Sequence, residues 1–365
     1  DELREALSAL QTHAQPMPFD QVGGILTAEL GDAGRNLLDR IEPQPVAAAS
    51  IGQVHRGVLC DGRQVAVKIQ YPEIDRIVRA DLKNLRRLLQ SLFALFSDVD
   101  FAPVWREVRD RLLEEIDYRH EAANMRRMAQ LLAATPEIIV PRVVDEASTR
   151  RVLTMEFTAG VSPDRACSER YPQQLRDKWG CVLFEFQLRG LFQHRLLHAD
   201  PNLANFSFLE DGRIIVYDFG CVKEIPEPLR NRYAELARAG IAGDYPEIPR
   251  VLERMGVVKT GGYPLDSRLT TPYVELIREV FRPEPPYRFG EDQTLYERLF
   301  ELGLANWTEA SDIEFPEDIV FIDRSLAGHF GNLGRLRATG PWRELLLRYA
   351  GFGPSEGGMD ASRSD

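Results

Sequence analysis

Apolar positions along the chain follow two periods, and the changes of period mark the elements. Leu3, Leu7 and Leu10 form a short helical stripe that Pro16-Met17-Pro18 breaks. A second helix fits 19–30 and Gly31 ends it, so residues 1–42 read as a helical extension. From residue 46 the character changes. Val54–Leu59 reads as a strand, Asp61-Gly62 as a hairpin turn, and Val65–Ile69 as the return strand. Apolar residues at 74, 77, 78, 82, 85, 88, 89, 92 and 96 then recur at helical spacing. Further helices are expected over 103–133 and 173–193. Strand-like runs occupy 138–144 and 151–157, a strand pair 206–210 and 213–217, and mostly helical sequence runs to about 350. The tail 351–365 is small and polar and is expected to be disordered.

This order gives an α+β fold with a small strand-rich lobe followed by a large helical lobe. The boundaries read 1–42 for the helical extension, 43–158 for the small lobe, 159–350 for the helical lobe and 351–365 for the tail. A cleft between two such lobes is a natural ligand site. The chain has 365 residues, 44% hydrophobic and 28% charged, an ordinary globular balance that excludes a fully disordered or collagen-like chain. Its formal net charge of −11 argues against broad nucleic-acid binding, which needs a basic footprint. The helix over 74–96 does carry Arg76, Arg79, Lys83, Arg86 and Arg87 on one face. A solvated face is the favoured reading, and a surface for anionic lipid or a protein partner is the alternative. Cys60, Cys167, Cys181 and Cys221 show no C-x-x-C spacing, so neither a disulfide framework nor a zinc site is expected, and a reducing compartment is the simplest reading. No run approaches the roughly 18 apolar residues of a membrane span, and no signal peptide is visible. The chain begins Asp1-Glu2-Leu3 without an initiator methionine and reads as a processed or partial form.

The chemistry concentrates in a few positions. Lys68 sits in Val65-Ala66-Val67-Lys68, the pattern of a strand lysine that reaches the α- and β-phosphates of a nucleotide in protein kinases. His198-Ala199-Asp200-Pro201-Asn202-Leu203-Ala204-Asn205 fits H-x-D-x-x-x-x-N, and Asp218-Phe219-Gly220 follows a strand. In that pattern Asp200 orients or deprotonates the attacking hydroxyl, while Asn205 and Asp218 hold Mg²⁺ with hard oxygen donors. Lys68 needs an acidic partner. Asp117 and Glu121 stand at i,i+4 in the expected helix over 103–133, where like charges disfavour the helix. Glu121 is read as the partner of Lys68, with Asp117 facing another positive group. A solvated acidic patch eased by Arg119 and Arg126 is the plainer reading of that pair. The phosphate-covering segment is unusual: Val46-Ala47-Ala48-Ala49-Ser50-Ile51-Gly52-Gln53-Val54 stands where a kinase would have a glycine-rich loop. Alanine largely loses the positive-φ conformations open to glycine, which stiffens such a loop. His55, His120, His194 and His329 lack metal-ligand spacing, and Ser50 and Ser207 lack a base pattern that would make either a nucleophile.

Together these residues resemble the UbiB family of atypical kinases, the quinone-biosynthesis kinase-like proteins. The motifs are Ala47–His55, Val65–Pro72, Glu115-Ile116-Asp117, Glu121-Ala122-Ala123-Asn124, Asp200 to Asn205, and Asp218-Phe219-Gly220. The resemblance implies a protein-kinase-like fold that binds ATP or ADP with Mg²⁺. It implies ATPase or unorthodox kinase activity in support of ubiquinone synthesis, often at a membrane surface. It also gives Glu121 the role of the lysine's partner. Two departures stand out. The family's K-x-G-Q motif is absent, leaving Glu115 and Asp117 without their family partner, and Asn202-Leu203-Ala204-Asn205 stands where many bacterial members have His-Pro-Gly-Asn.

The expected site is therefore Lys68, Glu121 and Asp200 for catalysis and Asn205 and Asp218 for metal. Nucleotide contacts are expected from Ala47, Ala48, Ala49, Ser50 and Lys68, and from Glu156 and Phe157 in a hinge, Met155–Thr158, whose backbone would bind adenine. Expected partners are nucleotide, a quinone-precursor lipid, quinone-biosynthesis proteins and a peripheral membrane surface, with no nucleic acid. The expected location is cytoplasmic, peripheral to an inner membrane, or the mitochondrial matrix in a eukaryote. A nucleotide-regulated pseudokinase scaffold and a small-molecule kinase of the aminoglycoside or choline type are the alternatives. The absence of an A-P-E motif and the short run from Cys221 to Pro228 leave little room to hold a peptide substrate.

Overall fold

Three alternating apolar residues fix the first sheet. Val65, Val67 and Ile69 are fully buried on one face of strand β3 (Gln64–Gln70), which leaves Lys68 on the other face. The computed structural model describes residues 17–49, 51–93, 105, 109, 116–291, 295, 298–299, 301–302 and 312–351. The expected stripe at 3–10, Ser50, Glu115 and all but the first residue of the tail lie outside them. The chain divides into two units. One holds Asp1–Gln130, Val140–Ala159 and Asp218–Gly220; the other holds Leu131–Ile139, Gly160–Tyr217 and Cys221–Asp365.

In the first unit, helix α1 (Phe19–Arg35) precedes β1 (Leu38–Ala49), β2 (Gly52–Leu59) and β3. After β4 (Ile138–Ile139) of the second unit comes β5 (Val152–Glu156), and the sheet order is β1-β2-β3-β5, all antiparallel. Val22 and Leu26 of α1 join Leu38, Leu59, Val65, Val67, Ile69 and Val152 in one core. The expected break at Gly31 is present: its backbone is non-helical (φ 60°, ψ −174°), and a short further helical stretch runs on to Arg35 after the kink. One expectation changes here. Residues 38–42 are strand, not helix. Their alternation is masked because Pro43 and Pro45 cannot donate to a ladder; β1 shifts register around Pro45 and sits at the sheet edge, where prolines are tolerated. Gly52 must be glycine, since a Cβ there would meet the Ile69 carbonyl oxygen at 2.2 Å.

Helix α2 (Ile74–Phe93) carries the basic face. There Arg79 pairs with Asp75 at 2.8 Å, Arg76 bonds Glu73, and the Arg79 and Arg150 guanidiniums hold Asp75 down to about 2. Of the expected helix over 103–133, the described residues Trp105 and Arg109 are helical, Ile116 is a turn, and α3 spans Tyr118–Leu131. Asp117 therefore precedes the helix instead of sharing a face with Glu121. Its Oδ1 accepts the Arg119 amide at 3.0 Å, which satisfies one of the orphan donors of the first turn.

In the second unit, β4 pairs in parallel with β8 (Ile214–Val216), and β8 pairs antiparallel with β7 (Phe206–Phe208). Helix α4 (Gln173–Leu188) continues as a wider π turn over Arg189–His194, which Arg195 closes in a left-handed conformation. Trp179 of α4 is fully buried, and its Nε1 donates to the Leu209 carbonyl at 2.8 Å. Strand β6 (Leu196–His198) pairs with β9 (Val222–Glu224), a strand where the sequence suggested a direct run into helix. Then follow α5 (Glu227–Ala242), α6 (Glu247–Arg254), α7 (Ser267–Val280), α8 (Glu317–Leu336) and α9 (Trp342–Tyr349). Phe184 of α4 packs edge-on against Trp342 with ring centroids 5.3 Å apart. Among the described residues, no helix is long and apolar enough to cross a membrane.

Candidate active site

Strand periodicity places Lys68, and the register defines its neighbours. Across the sheet, Ala47 pairs with Val54, Val54 with Lys68, and Lys68 with Leu153. The end of β1 thus shares the row of Lys68, and Ala48 and Ala49 pair with Gln53 and Gly52. Of the alanine-rich signature, Gln53 and His55 face the opposite way, into the core. Gln53 accepts from the Met17 amide at 2.8 Å and donates to the Met17 carbonyl at 3.3 Å. Gln53 Nε2 also lies 2.7 Å from His55 Nε2, and His55 Nδ1 is 2.7 Å from the Glu42 carbonyl. A glutamine with both halves of its amide engaged on one residue pins the chain entering α1 to the strand that leads from the hairpin. The sequence places Gln53 in the phosphate-covering segment, whereas its side chain holds Met17; the signal for that was a polar residue at a core-facing strand position.

Lys68 Nζ donates to both Glu121 oxygens, at 2.8 and 2.9 Å, and to Asp218 Oδ2 at 2.8 Å. Lys68 and Glu121 are almost fully buried, with side chains 9% and 5% exposed, and Asp218 keeps 32% exposure. Burial alone lowers a lysine's pKa. Here the Glu121 and Asp218 carboxylates outweigh it and push Lys68 above its ordinary range, so it is an ammonium. Burial pushes Glu121 up, Lys68 opposes it, and the Asp218 charge adds to the rise. Two carboxylates thus converge on one ammonium in a largely dry setting, where a charge is kept only if it is paired. The Tyr118 ring lies 5.3 Å from Lys68 Nζ and walls that side. The D-F-G turn is fixed from two directions: Asp218 Oδ1 accepts the Gly220 amide at 2.9 Å, and Asn124 of α3 donates to the Phe219 carbonyl at 2.9 Å. Glu121 and Asn124 are i,i+3 on α3, so one helix face holds both the lysine's partner and the turn.

Asp200 and Asn205 belong to the second unit. Asn205 Nδ2 donates to Asp200 Oδ2 at 2.7 Å, and Asp200 Oδ1 accepts the Asn202 amide at 3.1 Å. With its nitrogen turned to Asp200, Asn205 has its amide oxygen left for a cation. The Tyr217 amide donates to the Asn205 carbonyl at 2.9 Å, and the Ala199 amide to the Cys221 carbonyl at 2.9 Å. The hinge differs from the expectation in one respect. The Glu156 amide already donates to the Arg142 carbonyl and the Phe157 amide to the Gln64 carbonyl, at 2.8 and 2.9 Å. These two N–H groups hold the lobe together, so any adenine contact from Glu156 or Phe157 would use carbonyl or side chain. Asp117 faces Arg119, with oxygen to guanidinium distances from 2.6 Å. Arg126 pairs instead with Asp145.

Among the described residues, no three His, Cys, Asp or Glu side chains could hold a metal alone. Mg²⁺ needs only one or two carboxylates when substrate phosphates and waters complete its shell, and Asp218 in the first unit and Asn205 in the second each offer an oxygen of the hard kind it takes.

Comparison with known proteins accounts for this arrangement. The family model described as the ABC1 atypical kinase-like domain matches residues 9–252. The chain is 32% identical over 350 residues to "Atypical kinase COQ8B, mitochondrial" of Danio rerio, covering 95% of this chain and 55% of that protein. It is 31% identical over 373 residues to "Atypical kinase coq-8, mitochondrial" of Caenorhabditis elegans, covering 98% of this chain and 48% of that protein. The chain thus spans about half the length of these curated relatives. A solved structure titled as the complex of Rv3197 with erythromycin, from Mycobacterium tuberculosis, superposes with a TM-score of 0.78 at 30% identity, covering 97% of this chain and 88% of that one. The fold is kinase-like, and the chain belongs to the ABC1, or UbiB, family of atypical kinases.

Proposed function

We propose that the chain is a Mg²⁺-dependent, ATP-binding atypical kinase or ATPase that supports the synthesis of a quinone lipid. The observation that carries this reading is the buried bridge from Lys68 to both Glu121 and the D-F-G aspartate Asp218. Lys68 would engage the α- and β-phosphates, and Glu121 keeps its ammonium aimed. Asp218 and Asn205 would hold Mg²⁺, which supplies charge neutralisation to the phosphates. Asp200 would orient the attacking hydroxyl or water and accept its proton. Ala47, Ala48, Ala49 and Ser50 would cover the phosphates, with Glu156 and Phe157 beside adenine. The mitochondrial COQ8B and coq-8 relatives support a place in quinone synthesis. Partners would then be a quinone-precursor lipid and other proteins of that synthesis, met at an inner-membrane surface. A second reading, a kinase for a small polyhydroxylated molecule, draws on the erythromycin complex of the similar mycobacterial protein. A scaffold that binds nucleotide without turnover is the third.

Steady-state ADP release from MgATP separates the three, measured with phenolic quinone-precursor mimics on vesicles and with erythromycin. The expected outcome is release stimulated by the phenols, with Asp200→Asn slower by on the order of 100-fold, the usual worth of a positioned base. Equal rates in parent and Asp200→Asn would remove the enzymatic reading, and stimulation by erythromycin alone would transfer it to the second.

A further inference from the structure

Helix α8 lies beyond residue 252, where the family match ends, and its buried face is unlike an ordinary core stripe. Ile322 and Leu336 on that face are fully buried, as expected. Between them, at helical spacing, stand Ser325, His329 and Asn332, only 0%, 4% and 5% exposed. A polar group in such a place costs free energy unless it is hydrogen-bonded, so its partners say what it is for. The partners converge on the segment that carries Asp200. Ser325 Oγ donates to the His198 carbonyl at 3.1 Å, and Asn332 Nδ2 to the Pro201 carbonyl at 2.7 Å. Gln187 of α4 donates to the same His198 carbonyl at 3.4 Å and bonds the ring of His329. Between the two donors, Gly328 lies flat against Pro201: a Cβ there would come within 2.4 Å of Pro201 Cβ and Cγ.

We infer that Ser325, Gly328 and Asn332 form a backbone clamp that positions the Asp200 loop, a role for α8 resting on the reading of Asp200 as the catalytic aspartate. The geometry is specific to that task. The gripped carbonyls are those of the residues two before and one after Asp200, so the peptide carrying the carboxylate is held on both sides. The donors sit about two helical turns apart on one rigid element. Gly328 lets that element approach to contact. The other bonds of the segment are the internal ones from Asn205 and Asn202 to Asp200, the β6–β9 ladder with the Ala199 amide on the Cys221 carbonyl, and the Tyr217 amide on the Asn205 carbonyl; none of these reaches Pro201, on the far side of Asp200, which Asn332 holds. A clamp made of neutral donors on backbone acceptors is also indifferent to the charge of whatever the aspartate faces. Such residues position; they touch no reacting atom.

The test compares Asn332→Ala, Ser325→Ala, Ser325→Thr and a control, Leu336→Val, which thins the same helix face without removing a donor. Two readouts are taken on the full chain: hydrogen exchange of amides 196–205, and ADP release resolved into kcat and KM for MgATP. A misplacement of about 1 Å can cost on the order of 100-fold in rate. Asn332→Ala and Ser325→Ala are expected to speed exchange in 196–205 and to lower kcat by roughly 10- to 100-fold, with KM within about twofold. Ser325→Thr, which keeps the hydroxyl, stays near the parent. Leu336→Val loses stability but changes neither readout. Exchange and kcat of Asn332→Ala equal to the parent would overturn the clamp, as would a Leu336→Val variant that reproduces both changes. If the parent itself releases no ADP, the functional reading of Asp200 fails, and the exchange readout alone decides the clamp.

Discussion

The two units fix their motif residues by opposite means. In the first, charge holds charge: Lys68 is caught between Glu121 and Asp218, residues 53 and 150 positions away in sequence. In the second, neutral donors hold neutral carbonyls: Ser325 and Asn332 grip the backbone on either side of Asp200. The difference fits what the proposed function asks of each set. On that reading, a centre that receives phosphates and a cation needs charges whose partners can be exchanged. A loop that must present one carboxylate at a constant place is better held through its backbone, where no incoming charge competes for the bond.

The largest effect should come from breaking the charged centre. Replacing Lys68 by methionine leaves Glu121 and Asp218 facing each other without a cation. Removing one partner of a buried pair usually costs about 3–5 kcal/mol. Urea unfolding of Lys68→Met should show a loss of that size at neutral pH. The loss should shrink as pH falls, because Glu121 in that variant can take a proton and relieve the repulsion. A loss below about 1 kcal/mol, the scale of an exposed pair, would mean the centre is wetter than its burial implies.

Acid should act in the opposite sense on His329, the buried neighbour of the clamp residues on α8, with a smaller effect. Burial holds the His329 imidazole well below its ordinary pKa, so the folded chain keeps it neutral while the unfolded chain takes up a proton near pH 6.5. Its contribution is fully present above about pH 6.5 and is lost as pH falls, by up to about 1.4 kcal/mol per pH unit from this one group. A His329→Gln variant, followed by denaturant titrations from pH 7 to 5, should have a correspondingly flatter profile than the parent. Parallel profiles would show that His329 is protonated in the fold.

The same contrast explains what could be read from the sequence. The charged centre was legible because Lys68, Glu121 and Asp218 stand in motifs whose residue types chemistry restricts, and because the alternation 65, 67, 69 assigns Lys68 to one strand face. The clamp was not. A serine, a histidine and an asparagine in a helix look like solvent-facing residues until the fold brings Ser325 to His198 and Asn332 to Pro201, 127 and 131 residues away. Gln53 was silent for the same reason, its partner Met17 lying 36 residues upstream. Local misreadings had local causes. Pro43 and Pro45 hid the start of β1, and Asp117 looked like one of two charges on a helix face because a cap and a first-turn residue have the same spacing as two residues of one turn. The Glu156 and Phe157 amides could not be seen to be occupied without the partners that occupy them.

Receipt of a nucleotide with its metal at the Lys68–Asp218 centre can be measured by calorimetric titration of ADP into the chain with and without Mg²⁺, in the parent and in Asp218→Asn. Binding should depend on Mg²⁺ in the parent and be weakened at least tenfold, about 1.4 kcal/mol, in the variant. Equal affinity in parent and Asp218→Asn, or binding indifferent to Mg²⁺, would mean that the centre does not hold a metal-bound nucleotide.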